Sequence, residues 1–259
     1  MTILCIESST SVCSAAISVD GKPYKQCICR EGSNHARLLP RYIEELLRYA
    51  AEQHLSIDAV ALSEGPGSYT GLRIGASTAK GLCYGLNVPL IPVPTLQVLV
   101  KNYESKITNY ELRIADYGAG EADAVLFPMI DARRMEVYTE VQEGNGQWTR
   151  DNGQMNVYAV VVENEASLLD VQRDNVQCTK EYYYFGDGAA KCQAVLTKPN
   201  WHFVPDIVPE AQYMGEIVES QKSKVESIKM ISGAELAYYE PFYLKEFVAA
   251  QSHVKGLKP

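Results

Sequence analysis

None of the seven cysteines stands in a CxxC pair, and an odd count suits a reducing compartment better than a disulfide framework. Histidine is scarce. His35, His54, His202 and His253 form no HxxxH or HExxH pair, so the usual zinc-hydrolase signatures are missing. Ser68 lies in GPGSYTG rather than a GxSxG elbow, and no Ser-His-Asp order supplies a nucleophile. No apolar stretch approaches the roughly 20 residues that span a bilayer, so no membrane association is expected. The opening MTILCIESST has neither the basic start nor the long apolar run of a signal peptide, which predicts a cytoplasmic protein. A basic surplus is also lacking: the net charge is -8, so the surface as a whole repels nucleic acid, while a local basic patch stays open. Cys27 and Cys29 share one side of a predicted strand without other ligands nearby, which leaves a metal role there unsupported.

What is present is an ordinary globular composition, 46% hydrophobic and 22% charged over 259 residues, enough for one large domain or two lobes. The first hundred residues read clearly. Ile3 to Ile6 and Ser14 to Val19 are strands, and Asp20-Gly21 turns into a third near Tyr24 to Cys29. Asn34 is placed to cap a helix ending near Gln53, whose apolar positions follow a 3.6-residue period. A strand at Ala59 to Leu62, a glycine-rich turn, a helix to Leu86, a strand at Val88 to Val93 and a short helix from Pro94 complete a β-β-β-α-β-α-β-α order. This is a mixed α/β unit of the actin-like ATPase (ASKHA, ribonuclease H-like) kind, and two such lobes, each a mixed sheet flanked by helices, are expected. The lobes are assigned to residues 1–102 and 103–204, with about 205–259 packing back on the first. Asn102 to Ala122 reads as an excursion between them. In the second lobe, Ala124 to Ile130 and Tyr182 to Phe185 read as strands, Gly144 to Gly146 as a turn, Gly186 to Cys192 as a turn opening a helix, and Pro209 to Ser220 as a last helix. No internal repeat is visible.

Two constellations could carry chemistry. In SEGPGSYTGLRIG, Ser63 to Gly75, the glycines Gly65, Gly67 and Gly71 allow tight turning, and Ser68 or Thr70 can cap the following helix. Strand, glycine turn and helix N-terminus in that order can hold an anion, but no GK[ST] follows, so this is not a P-loop. In the turn after the first strand, Ser8, Ser9 and Thr10 either form a phosphate nest beside Glu7 or cap their own backbone. The helix beyond the glycine turn is rich in small residues: Gly71, Gly75 and Ala79 lie four apart, and Gly81 and Gly85 repeat the spacing on another face. Glycine inside a helix costs roughly 1 kcal/mol relative to alanine, so a compensating close approach is implied. The face of Gly71, Gly75 and Ala79 is read as a docking surface for another subunit, with packing on the chain's own sheet the alternative. Arg133 and Arg134 could bind a phosphate or carboxylate, though pairing with Glu136 or Asp131 is the commoner outcome.

IESST at Ile6 to Thr10, NHARLLP at Asn34 to Pro40, GPGSYTGLRIG at Gly65 to Gly75 with AKGL at Ala79 to Leu82, DARRMEVY at Asp131 to Tyr138, GDGAAK at Gly186 to Lys191 and PFYLK at Pro241 to Lys245 occur in one order. Over nearly its whole length the chain resembles the TsaB (YeaZ) family, actin-like partners in synthesis of threonylcarbamoyladenosine on tRNA. That family is related to TsaD and to the superfamily once labelled glycoprotease. Glu7 stands where aspartate is more usual. The resemblance implies a scaffold without catalytic residues that pairs with TsaD through its two N-terminal helices, the pair then recruiting TsaE. It also implies a homodimer when alone and contact with tRNA only through the complex. The implied interface takes in His35, Leu38, Leu39, Tyr42, Gly71, Ile74, Gly75, Thr78, Ala79 and Leu82. TsaD carries a metal on an HxxxH pair just past the strand after the glycine-loop helix, whereas Val93 to Leu99 holds no histidine here, so no metal is expected. No cofactor is required by the chain, and ATP or ADP binding is expected to be weak or partner-dependent. Two other functions stay in view: a stand-alone ATPase or kinase, and a peptidase, for which neither a nucleophile–base pair nor a ligand set is present.

Overall fold

A computed structural model of the chain describes residues 1–32, 34–108, 124–143, 150–151, 154–172, 180–222 and 228–245. Strands β1 (Thr2–Glu7), β2 (Cys13–Val19) and β3 (Lys22–Cys29) form an antiparallel meander. Its second turn is tight because Asp20 and Gly21 both take positive φ, 48° and 80°, the geometry whose twist matches a hairpin. Helix α1 (His35–Glu52), β4 (Ala59–Gly65), α2 (Tyr69–Leu86), β5 (Leu90–Pro94) and α3 (Thr95–Thr108) follow. β4 and β5 add in parallel, giving the order β3-β2-β1-β4-β5.

The second sheet is built from β6 (Ala124–Asp131), β7 (Glu136–Thr139), β8 (Gln142–Glu143), β11 (Tyr158–Val161), β12 (Glu181–Phe185) and β13 (Trp201–Val204), ordered β11-β7-β6-β12-β13 with β8 paired to β6. A separate ribbon pairs β9 (Arg150–Asp151) with β10 (Gln154–Met155), and α4 (Glu165–Gln172) packs beside β11. In each sheet a meander joins a first strand to which two later strands add in parallel. The two sheets therefore share one topology although no repeat is visible in the sequence, and the fold is the expected pair of actin-like lobes.

α1 and α2 cover one face of the first sheet, where Leu39, Ile43, Leu46, Ala76, Ala79 and Cys83 pack on Leu4, Ile6 and Leu62. The other face is covered by α5 (Met214–Lys222), whose Met214, Ile217 and Val218 meet Ile3, Cys5 and Ala16. The last helix is α6 (Gly233–Tyr238). α3 belongs to both lobes: Leu96, Leu99, Val100 and Tyr103 share a core with Leu126, Ile130, Tyr183 and Phe185, and the Tyr103 and Phe185 rings stack at 4.6 Å.

Several expectations change. The helix after Pro94 runs 14 residues, so the boundary drawn at Asn102 falls inside α3, and only 109–122 of the expected excursion lie outside the described residues. The reason is a buried apolar face, Leu96, Leu99, Val100 and Tyr103, that continues past the polar residues interrupting it in sequence. Ala190–Ala194 is one 3-10 turn rather than an opened helix. Pro209 to Ser220 splits into a 3-10 turn and α5, and α6 rather than that segment is last. The Gly144 to Gly146 turn lies outside the described residues. Asn34 precedes α1 without a side-chain capping bond. Among the described residues no helix is long and apolar enough to cross a membrane.

Candidate functional site

The lobes enclose a cleft of about 610 Å³ at the carboxyl ends of β1, β4 and β6. One wall is the glycine turn and the start of α2. Ser68 is the N-cap, its side-chain oxygen accepting from the Gly71 N–H at 3.3 Å, so of the two capping candidates Ser68 fills the role. The Ser68 N–H is turned inward, donating to the Ser9 carbonyl at 2.6 Å.

The β1–β2 turn bonds its hydroxyls within the chain. Ser8 Oγ donates to the Gly71 carbonyl at 3.0 Å, Ser9 Oγ to Glu7 Oε1 at 2.5 Å, and Thr10 Oγ1 accepts from the Val12 N–H at 3.2 Å. All three residues are buried. Ser9 and Thr10 thus bond within their own turn, while Ser8 bonds the first turn of α2. Ser9, Thr10, Gly67, Ser68 and Thr70 border the cleft, whereas Ser8 and Gly65 do not.

The glycines are packing sites. A Cβ at Gly71 would lie 2.1 Å from the Ser8 carbonyl oxygen, and one at Gly67 would lie 2.3 Å from that of Ser9. At Gly75 a Cβ would lie 2.3 Å from Ser8 Oγ and 3.0 Å from Leu62 Cδ1. The stripe of Gly71, Gly75 and Ala79 therefore faces β1 and β4, and its reading as a subunit docking face is overturned. Leu39 is likewise at 0% exposure inside the α1–sheet core, and His35 is buried with Nε2 3.2 Å from the Val12 carbonyl. Leu38, Tyr42, Ile74, Thr78 and Leu82 remain half-buried at the surface. Tyr42 shares a helix flank with Glu45 and Tyr49, both of which contact Lys25 of β3, so that flank leans over β3. Gly81 and Gly85 are open, with nothing within 4 Å of an added Cβ.

Glu7 ends β1 fully buried. Oε1 accepts from the Ser9 N–H (2.7 Å), Ser9 Oγ and Ser63 Oγ (3.0 Å), while Oε2 has no hydrogen-bond partner. Burial pushes its carboxyl up to about 7, against the lowering effect of these donors. Across the cleft, burial likewise pushes Asp187 up to about 6, although it accepts from the Asp131 N–H at 3.1 Å. A magnesium–nucleotide needs an ionised, accessible carboxylate and free amides at its phosphates. Glu7 is fully buried and does not border the cleft, and Ser9 Oγ, Thr10 Oγ1 and the Ser68 N–H are each bonded within the chain.

On the opposite wall, Arg133 and Arg134 take φ of 72° and 50° at the β6–β7 turn. The expected pairing with Asp131 or Glu136 is not what forms: Asp131 pairs with Lys191, and Glu136 with Lys245. Arg133 instead borders the cleft. Residues 242–245 border it too, with the Tyr243 ring 5.2 Å from that of Tyr69. The segment expected to pack back on the first lobe thus also borders the cleft. Among the described residues no three of His, Cys, Asp or Glu gather as a metal site.

The family model described as TsaD, tRNA N6-adenosine threonylcarbamoyltransferase, matches residues 31–251. The tRNA threonylcarbamoyladenosine biosynthesis protein TsaB of Haemophilus influenzae is 26% identical over 253 residues, covering 96% of this chain and 95% of that one. The protein of the same name from Escherichia coli is 33% identical over 150 residues, covering 57% of this chain and 58% of its own length. Among solved structures, YeaZ from Pseudomonas aeruginosa aligns over 94% of this chain and 99% of its own at 23% identity, with a TM-score of 0.63, which is a likeness of fold.

Proposed function

Because this chain belongs to the TsaD family, we propose that it is a non-catalytic partner subunit that pairs with a TsaD-like protein and supports formation of threonylcarbamoyladenosine in tRNA. The observation that carries this reading is the nearly end-to-end match to a TsaB protein. A second observation favours a scaffold over an enzyme. Where the resemblance would put a metal-binding histidine pair, β5 leads into Leu96, Val98 and Leu99, all buried apolar side chains.

The docking surface is the solvent side of α1 and α2. Support comes from Ile74, Thr78 and Leu82, half-buried beside Gly81 and Gly85, with Tyr84 87% exposed at the end of the stripe. Small residues on an exposed helix let a second backbone approach closely, offsetting their helix cost. The same surface serves a homodimer when the chain is alone, the heterodimer recruits TsaE, and tRNA is met through the complex. The chain needs no cofactor of its own, and its binding of ATP or ADP is weak or depends on the partner.

The test is depletion of the protein with threonylcarbamoyladenosine measured on cellular tRNA: a fall is expected, and an unchanged level would remove the claim. Mixed with its TsaD-like protein, the chain should elute as a heterodimer on size exclusion. Gly81→Arg and Gly85→Arg, which meet only open space within the chain, should abolish that complex with the fold intact.

A further inference from the structure

The segment after α6 crosses from one lobe to the other at the cleft mouth. Its start is fixed on the first lobe: Leu236 and Tyr239 are buried in the core beneath α1 and α2, and Lys80 Nζ donates to the Ala237 carbonyl at 2.8 Å. The chain then lies along the glycine turn. The Phe242 N–H donates to the Glu64 carbonyl at 2.7 Å, and the Phe242 carbonyl oxygen would stand 2.4 Å from a Cβ on Gly65. Gly65 thus has φ of +116° and no side chain because the strap occupies that space. Tyr243 rests on Tyr69, the first residue of α2. Lys245 then reaches the second lobe and pairs with Glu136 on β7.

At the opposite end the lobes share the core around α3, where Asn102 and Lys106 also bond the Val208 and Asp206 carbonyls, at 2.8 and 2.7 Å. The cleft therefore has a packed apolar hinge at its floor and an ion pair at its mouth. A packed core resists sliding, whereas a partly exposed ion pair is a weak and salt-sensitive contact. Lys245 and Glu136 keep 44% and 20% side-chain exposure, which puts their pair in that weak class.

We propose that residues 239–245 are a latch, in which the Lys245–Glu136 pair holds the lobes together over the cleft and its release exposes both cleft walls. The latch does not depend on the partner role above, since every contact in it lies within this chain.

Hydrogen exchange of the full-length protein, read by mass spectrometry, tests it. Lys245→Ala and Glu136→Gln should each speed exchange about two- to fivefold in the strap and in both walls, Ser68–Ile74 and Ile130–Arg133, the range expected for one weak ion pair. Peptides in β1 and β12 should keep their rates. The double variant should exchange no faster than either single one, because both remove the same contact. Lys245→Arg should restore the wild-type rates, and high salt should mimic the variants in the wild type alone. Wild-type rates in both single variants would overturn the latch. So would faster exchange confined to the strap, which would mean the segment frays without moving the lobes, or additive effects in the double variant.

Discussion

Replacing Glu7 by glutamine should remove a pH dependence that this one buried acid imposes on the fold. In the native state its carboxyl is pushed from the ordinary 4.5 up to about 7, because burial outweighs the three donors on Oε1. A raised acid pKa means that the folded chain holds the proton more tightly than the unfolded one. The stabilisation is then complete below the unfolded value and is lost as pH rises through the folded one. Across the full shift this is about 3 kcal/mol, of which on the order of 1 kcal/mol disappears between pH 6 and pH 8. Asp187, pushed up to about 6, titrates mostly below that window. The assay is urea unfolding at pH 6, 7 and 8. The wild-type midpoint should fall by a few tenths molar or more across the series. Glu7→Gln keeps an acceptor for the Ser9 and Ser63 donors and has no proton to lose, so its midpoint should fall much less, by the remaining contribution of Asp187. A wild-type midpoint that does not move, or a variant that keeps the same slope, would refute the raised pKa of Glu7.

The glycines of α2 should behave oppositely on its two sides. Gly71→Ala drives a Cβ to 2.1 Å from the Ser8 carbonyl oxygen and should cost about 3 kcal/mol. Gly81→Ala meets open space and should stabilise by about 1 kcal/mol, both measured by urea unfolding. Arg30→Ala should destabilise by about 2 kcal/mol, because it removes a 2.7 Å partner from the buried Glu210 carboxylate and leaves only Gln26 and Gln212 as donors. Arg30→Lys should recover part of that loss by thermal unfolding.

Much of the first lobe was legible because its elements are long and their periods unmixed. The 3.6-residue pattern of α1 and the apolar strands β1, β4 and β5 state which side faces the core. In the second lobe β7, β8 and β11 are four residues or fewer, too short for a period to emerge. α3 was cut short in the reading because its polar residues obscured the buried face of Leu96, Leu99 and Tyr103. The sequence points the segment 205–259 at the first lobe but not across the cleft, since nothing local records that Lys245 meets Glu136 more than a hundred residues away.

The glycine-rich helix shows where the division falls. By itself the sequence determined that Gly71, Gly75 and Ala79 share one stripe and that Gly81 and Gly85 lie elsewhere, because helical periodicity is a local property. Together with the ordered motifs, it also determined the family. Which stripe meets the chain's own sheet and which meets solvent was decided only by tertiary structure. The physical reason is the approach of the β1–β2 turn: the Ser8 carbonyl fills the space a side chain on Gly71 would need, so that stripe is consumed by the fold and only the glycines beyond it remain open.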